Sequence, residues 1–182
     1  MADSLSLLPP PSSDERDIGL GQFMYEWGEL ERQLLYLFHI LTNTKWAIAR
    51  IIFSIGFRAP SLSKIFRAIG KLRLKESEQI TLKELCKNYT TIAERRNKIV
   101  HGLWDIEHDK NNTLGQWTRI YYPTDPEKEK RIFDKFDQID RIKYRHTIKQ
   151  LQTASSEVHS LTNEMADFTR SIIKKYYLEE QS

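Results

Sequence analysis

The stretch Leu82-Lys83-Glu84-Leu85-Cys86-Lys87-Asn88-Tyr89-Thr90-Thr91-Ile92-Ala93-Glu94-Arg95-Arg96-Asn97-Lys98-Ile99-Val100-His101-Gly102 decides how this chain folds. Leu82, Leu85, Cys86, Tyr89, Ile92, Ala93, Ile99 and Val100 recur at spacings of three and four, the signature of one buried helix face. The pattern predicts a helix that starts near Ser77 or Thr81, runs to His101 and stops at Gly102, the residue type best suited to the position after a helix end. One residue breaks the apolar arc. With about 100° between successive residues, Arg96 falls near the middle of the arc and Asn97 at its edge. His101 follows one turn beyond Asn97 on the same flank. A polar residue where the period calls for an apolar one marks either function or a specific buried pair.

Upstream, residues 17–42 predict a first long helix with Phe23, Met24, Trp27, Leu30, Leu34, Leu37, Phe38 and Leu41 on one broad stripe. Glu31 falls inside that stripe, whereas Glu29 points the opposite way. A carboxylate on a buried face needs a partner, and the inward Arg96 is the matching charge, so a Glu31–Arg96 contact is expected. Such a pair can hold a guanidinium for chemistry, or it can merely fix the register of two helices and leave His101 as a helix-end residue. Residues 46–57 predict a short, very apolar second helix. Ala59-Pro60-Ser61 then makes a break, with Ser61 or Ser63 capping a third helix that runs to about Leu74. Residues 1–15, with Pro9-Pro10-Pro11-Ser12-Ser13, read as a disordered tail.

Downstream of Gly102 the period changes. Leu103-Trp104-Asp105-Ile106-Glu107-His108 alternates loosely, Asp109-Lys110-Asn111-Asn112 has turn composition, and residues 113–122 supply Thr, Trp, Ile and Tyr. A β-hairpin over 103–122 is expected, ended by Pro123-Thr124-Asp125-Pro126. A last helix over 139–177 carries a seven-residue repeat, with Tyr144, Leu151, Val158, Met165 and Ile172 at one position and Ala154, Leu161 and Phe168 at the other. That seam packs against the first and fourth helices or pairs with another chain. The whole reads as one mainly α (all-α) domain over 16–178, a bundle of about five helices with an appended hairpin.

Composition narrows the function classes. Gly (7) and Pro (6) are scarce in 182 residues, which favours long helices. Cys86 is the only cysteine, so no intramolecular disulfide and no cysteine-based zinc site can form, and its helix face marks it as a core residue. No basic segment followed by an apolar one opens the chain, and the run from Ile51 to Phe57 is far too short to span a bilayer. A cytoplasmic location with no membrane partner is expected. Asp105, Glu107, His108 and Asp109 offer metal-compatible atoms but belong to a hairpin tip, so no metal site and no cofactor are expected. His39 and His146 lie on helix flanks without convergent partners, and Trp104, Trp117, Tyr121 and Tyr122 either stack bases or pack onto the bundle.

The net charge of +3 hides an uneven distribution. Lys45, Arg50, Arg58, Lys64, Arg67, Lys71, Arg73 and Lys75 fall in one stretch that contains no acidic residue. Arg50, Arg58, Lys64, Arg67, Lys71 and Arg73 are therefore candidate contacts to an RNA phosphate backbone, the alternative being the solvated face of two short helices.

At the end of the fourth helix the parts suit phosphate chemistry. A helix C-terminus favours the protonated form of His101, and a histidine titrating near neutrality moves protons to and from hydroxyls. Arg96 can clamp a phosphate, and Asn97 can orient the imidazole. Arg96-Asn97-Lys98-Ile99-Val100-His101 resembles the HEPN signature, in which an arginine, followed directly by a polar residue, is separated from a histidine by four to six intervening residues at the end of a long bundle helix. The resemblance covers residues 17–102 and 139–177. It implies a metal-independent endoribonuclease of the toxin, antiviral or RNA-processing kind, with Arg96, Asn97 and His101 as site residues and Glu31 as the supporting acid. It also implies an active site shared across a homodimer, and an antitoxin or regulatory protein as a further partner. The chain departs from the minimal toxins in two places: Leu103 stands where many have a tyrosine, and the hairpin and long last helix exceed their bundle. The rival readings are a non-catalytic HEPN-like module that binds nucleic acid or nucleotide or serves dimerisation, and a helical interaction protein in which Arg96 is purely structural.

Overall fold

In a computed structural model the described residues are 13–55, 59–100, 103–108, 115–120 and 146–178. The chain is mainly α. Among the described residues there are five α-helices, α1 (Ser13–Thr42), α2 (Trp46–Ser54), α3 (Ala59–Arg73), α4 (Glu76–Val100) and α5 (Ile148–Ile173), and three short strands between α4 and α5, β1 (Leu103–His108), β2 (Gly115–Ile120) and β3 (His146–Thr147). A π-helical turn, Lys174–Leu178, extends α5. No described helix is long and apolar enough to cross a membrane.

Helix starts differ from the expected ones, each for a local reason. α1 takes in the last three residues of the expected tail, because Asp14 and Glu15 in its first turn face the positive end of the helix dipole. α1 closes where the Thr42 hydroxyl donates to the Phe38 carbonyl at 2.8 Å and Asn43 adopts a left-handed φ of 52°. Asparagine tolerates that conformation better than most residues, and the Asn43 N–H turns back to the Ile40 carbonyl at 3.3 Å. α2 stops at Ser54, short of the expected 57. α3 starts at Ala59 with Pro60 in its first turn, where proline's fixed φ suits a helix, and Ser63 is buried within the helix rather than capping it. α4 begins at Glu76 because the Lys75 N–H donates to Glu78 Oε2 at 2.9 Å while the Gln79 amide donates to the Leu74 carbonyl at 2.8 Å.

The strands pair antiparallel in the order β1-β2-β3, with Leu103 opposite Ile120 and His108 opposite Gly115. β3 meets β2 through Thr118 opposite Thr147 and Arg119 opposite His146. This pairing corrects the expected helix over 139–177: residues 146 and 147 give their backbone groups to β2, and α5 starts only at Ile148. Of the heptad seam, Leu151, Ala154, Val158, Leu161, Met165, Phe168 and Ile172 are all buried, and Tyr144 lies outside the described residues.

The chain divides into two compact units, to both of which α1, α4 and α5 contribute residues. The unit of Gln22–Glu94 and Ala154–Ser182 holds the aromatic core. Trp27 of α1 stacks on Tyr89 of α4 with ring centres 5.8 Å apart, and Phe38 meets Phe53 of α2 at 6.4 Å and Phe66 of α3 at 6.2 Å. α3 and α4 approach so closely that a Cβ on Gly70 would stand 2.7 Å from Leu82 Cδ2. The buried hydroxyls of Thr162 and Thr169 donate to the carbonyls four residues earlier, which removes the cost of burying them. In the unit of Met1–Gly21 and Arg95–Thr153, Gly19 faces Leu151, whose Cδ2 would lie 3.1 Å from an added Cβ.

Polar contacts tie the first of these units together at two points. His159 Nδ1 of α5 lies 3.0 Å from Glu26 Oε2 of α1. Glu78 near the start of α4 accepts from Lys175 Nζ at 2.5 Å and from the Tyr176 hydroxyl at 2.7 Å, which fastens the π-helical turn. Burial pushes the Glu78 carboxyl up, but the hydrogen bonds from Lys175, Tyr176 and the Lys75 N–H outweigh it and hold the group below its ordinary 4.5. A depressed carboxyl stabilises the fold above its unfolded pKa, and that contribution is lost as pH falls through the folded value. The melting temperature of wild type should therefore exceed that of Glu78→Gln at pH 7, and the gap should close as the pH is taken well below 4.5. A gap unchanged by acid would show that the carboxylate adds nothing.

Candidate functional site

The last turn of α4 brings Arg96 and Asn97 together. Arg96 is half-buried and Asn97 exposed, and Arg96 Nη1 donates to Asn97 Oδ1 at 3.3 Å. Ile92, Ala93 and Ile99 beside them on the helix are buried, so the guanidinium does interrupt an apolar face, with its Nε enclosed. Low local dielectric strengthens whatever such a charge interacts with. α4 ends at Val100, and His101 lies outside the described residues, as does Gly102.

Glu31 requires a correction. It was expected on the buried face, yet it is exposed, as is its neighbour on that flank, Met24. An exposed carboxylate incurs no desolvation cost, so Glu31 needs no buried partner. The enclosed carboxylate of α1 is Glu26, whose side chain is 15% exposed and pairs with His159. By rotation the two acids stand on opposite flanks, each about 70° from the centre of the seven buried residues of the stripe. Periodicity cannot separate them; the position of α5 does, by giving Glu26 a partner and cover. Glu29, expected to point away, is half-buried and joined to Arg32 Nη2 at 2.5 Å.

The basic residues proposed for RNA are placed on the surface. Arg50, Lys64, Arg67, Lys71 and Arg73 are exposed, and Arg58 lies outside the described residues. Lys64, Arg67 and Lys71 share one stripe of α3 by their spacing of three and four. The same segment also exposes Trp46, Ile48, Ile51, Ile55 and Leu72. A phosphate track accounts for the cations and not for the isoleucines.

Sequence reasoning missed an aromatic corner between α1 and α2. His39 was read as lacking convergent partners, but its ring meets Trp46 edge-on at 5.4 Å and Tyr36 at 6.2 Å. The signal was present, since Tyr36 and His39 are three apart and Trp46 opens the next helix, but the turn geometry at Asn43 that joins them was not read.

Two other features bear on chemistry. Cys86 is 3% exposed, and burial pushes its thiol up to about 11 against the opposing effects of a Ser63 hydrogen bond and the Arg67 charge. It is a protonated core group at neutral pH. Native protein should leave a thiol reagent such as Ellman's unreacted over the time in which denatured protein reacts fully; rapid native reaction would mean that α3 and α4 open locally. A cavity of about 550 Å³ lies against Ser77, Glu78, Thr81, Leu85, Phe168 and Ser171, between α4 and α5. Among the described residues no group of three or more His, Cys, Asp or Glu is placed to hold a metal ion.

Comparison with protein-family models, with curated proteins and with solved structures gives no match to this chain.

Proposed function

We propose that the chain is a metal-independent endoribonuclease of the HEPN type, with Arg96, Asn97 and His101 at its site. The observation that carries this reading is the half-buried Arg96 hydrogen-bonded to an exposed Asn97 in the last turn of α4, with Asn97 four residues before His101 in the sequence. A buried-side arginine beside a solvent-facing amide is a poor choice for packing alone, and it supplies the two groups that phosphate chemistry needs next to a histidine.

In this mechanism a His101 imidazole removes the proton from an RNA 2′-hydroxyl. The 2′-oxygen attacks the adjacent phosphorus as the bond to the 5′-oxygen breaks. The leaving 5′-oxygen takes a proton from the imidazolium of a second copy, which leaves a 2′,3′-cyclic phosphate and a free 5′-hydroxyl. Arg96 neutralises the charge that builds on the phosphoryl oxygens, and Asn97 fixes the orientation of the guanidinium or the ring. The need for one base and one acid is met by two copies of the chain, so a homodimer is part of the proposal. An antitoxin or other regulatory protein would restrain it, in a role in defence or stress response within the cytoplasm.

The test is incubation of a mixed RNA pool with the purified chain in excess EDTA. Cleavage supports the proposal. Binding without cleavage, steep in its salt dependence, would favour the module that holds nucleic acid and leaves it intact. Neither binding nor cleavage would return Arg96 to a structural role.

A further inference from the structure

We infer that the outward faces of α2 and α3 form a docking surface for an anionic lipid bilayer. α2 is apolar on both sides. Its inner side meets α1, where Ala49 is fully buried and Phe53 lies against Phe38. Its outer side presents Ile48 and Ile51 at 47% and 60% exposure, continued by Ile55 at 80% just past its end, while Trp46 packs on Tyr36 and His39 of α1 at the inner side. Apolar residues on two sides of one helix call for cover on both, with the exposed Arg50 and Ser54 between them. The following helix, α3, carries the exposed basic stripe of Lys64, Arg67 and Lys71 and, about 100° round the helix from it, Leu72 at 84% exposure. From Lys45 to Lys75 there are eight basic residues and no acidic one.

The charge decides the occupant. A second copy seated on the same face would bring this all-basic stretch against itself with no acid to neutralise it, because a two-fold interface opposes identical patches. RNA would satisfy the cations, but aliphatic isoleucine side chains neither stack on bases nor bond to phosphates. An anionic bilayer satisfies both: its acyl region takes the isoleucines, and its surface potential attracts the lysines and arginines. α2, at nine residues, is too short to span and would lie in the plane of the interface.

The test is co-sedimentation of the full chain with vesicles of phosphatidylserine in phosphatidylcholine, against vesicles of phosphatidylcholine alone. Binding to the anionic vesicles should be at least about tenfold stronger, each basic residue near the surface contributing about fivefold. The double variant Ile51→Ser, Ile55→Ser should lose about tenfold or more through the lost apolar burial. Both positions are exposed, so the fold should persist, and Leu72→Ser gives a second variant should α2 fray. Three results overturn the inference. One is the absence of binding to anionic vesicles. Another is binding that survives the isoleucine variants and is displaced by RNA, which assigns the face to a phosphate backbone. The third is a fall in solution mass in the isoleucine variants, which assigns it to a second copy. None of these readouts depends on RNA cleavage, so the ribonuclease proposal stands or falls separately.

Discussion

Replacing Arg96 with alanine should lower the rate of metal-free RNA cleavage by about 10²–10³-fold, the usual loss when one donor to a developing negative charge is removed. His101→Ala should lower it by about 10²–10⁴-fold, the range for a general acid or base. The two losses should not multiply in the double variant, because the groups act as one unit. Arg96 is half-buried, so Arg96→Ala can also disturb α4. Arg96→Lys separates the effects: it keeps a charge in place but loses the planar fork that grips a phosphate, and should stay well below wild type with an unchanged melting curve. Full activity in Arg96→Lys and Arg96→Ala alike would remove Arg96 from the site. Cleavage should be compared with circular dichroism on the same samples, since an unfolded variant proves nothing about chemistry.

The largest expected effect on stability comes from Phe66. It is 1% exposed in α3 and meets Phe38 edge-to-face at 6.2 Å, at the place where α1, α2 and α3 converge. Phe66→Ala should cost about 3–5 kcal/mol, from lost burial plus the cavity left behind. Urea unfolding measures it through the shift in midpoint at constant slope. Leu72→Ala, six residues later but 84% exposed, should change stability by less than about 0.5 kcal/mol. Similar costs for the two would mean that α3 does not bury the face described. The contrast also matters for the docking surface, because it shows that apolar residues on the outer side of this segment are spare for another partner.

What was legible in the sequence is the set of buried faces. Leu151, Val158, Met165 and Ile172 fell on one line of a seven-residue repeat, and each is buried. The stripe of α1 from Phe23 to Leu41 is buried as well, apart from Met24 at its edge. Periodicity reports such faces well because burial is shared over many residues. It reports ends poorly, because an end depends on one or two bonds. The start of α4 rests on Glu78 accepting from the Lys75 N–H, that of α3 has Pro60 in its first turn, and the end of α1 on the left-handed Asn43. None of these leaves a periodic trace.

Of the candidate site, the placement of Arg96 was legible. Arg96 stood out as a polar residue on an apolar arc, and it is half-buried beside Asn97. The burial expected of Glu31 belongs instead to Glu26, because the two acids flank the α1 stripe almost symmetrically and only the tertiary contact with His159 distinguishes them. The exposed isoleucines of α2 were visible as an apolar run, but a run has no period that tells the inner side from the outer.

The central claim is that the RNA's own 2′-hydroxyl is the nucleophile and that no metal takes part. It is tested most directly on a short RNA that the chain cuts, remade with a single 2′-deoxy nucleotide on the 5′ side of the cut and assayed in EDTA. Cleavage should cease at that bond alone, and the unmodified RNA should yield a 2′,3′-cyclic phosphate and a 5′-hydroxyl. Continued cleavage at the 2′-deoxy position, or 5′-phosphate ends, would contradict the mechanism by showing that water, and not the sugar hydroxyl, attacks.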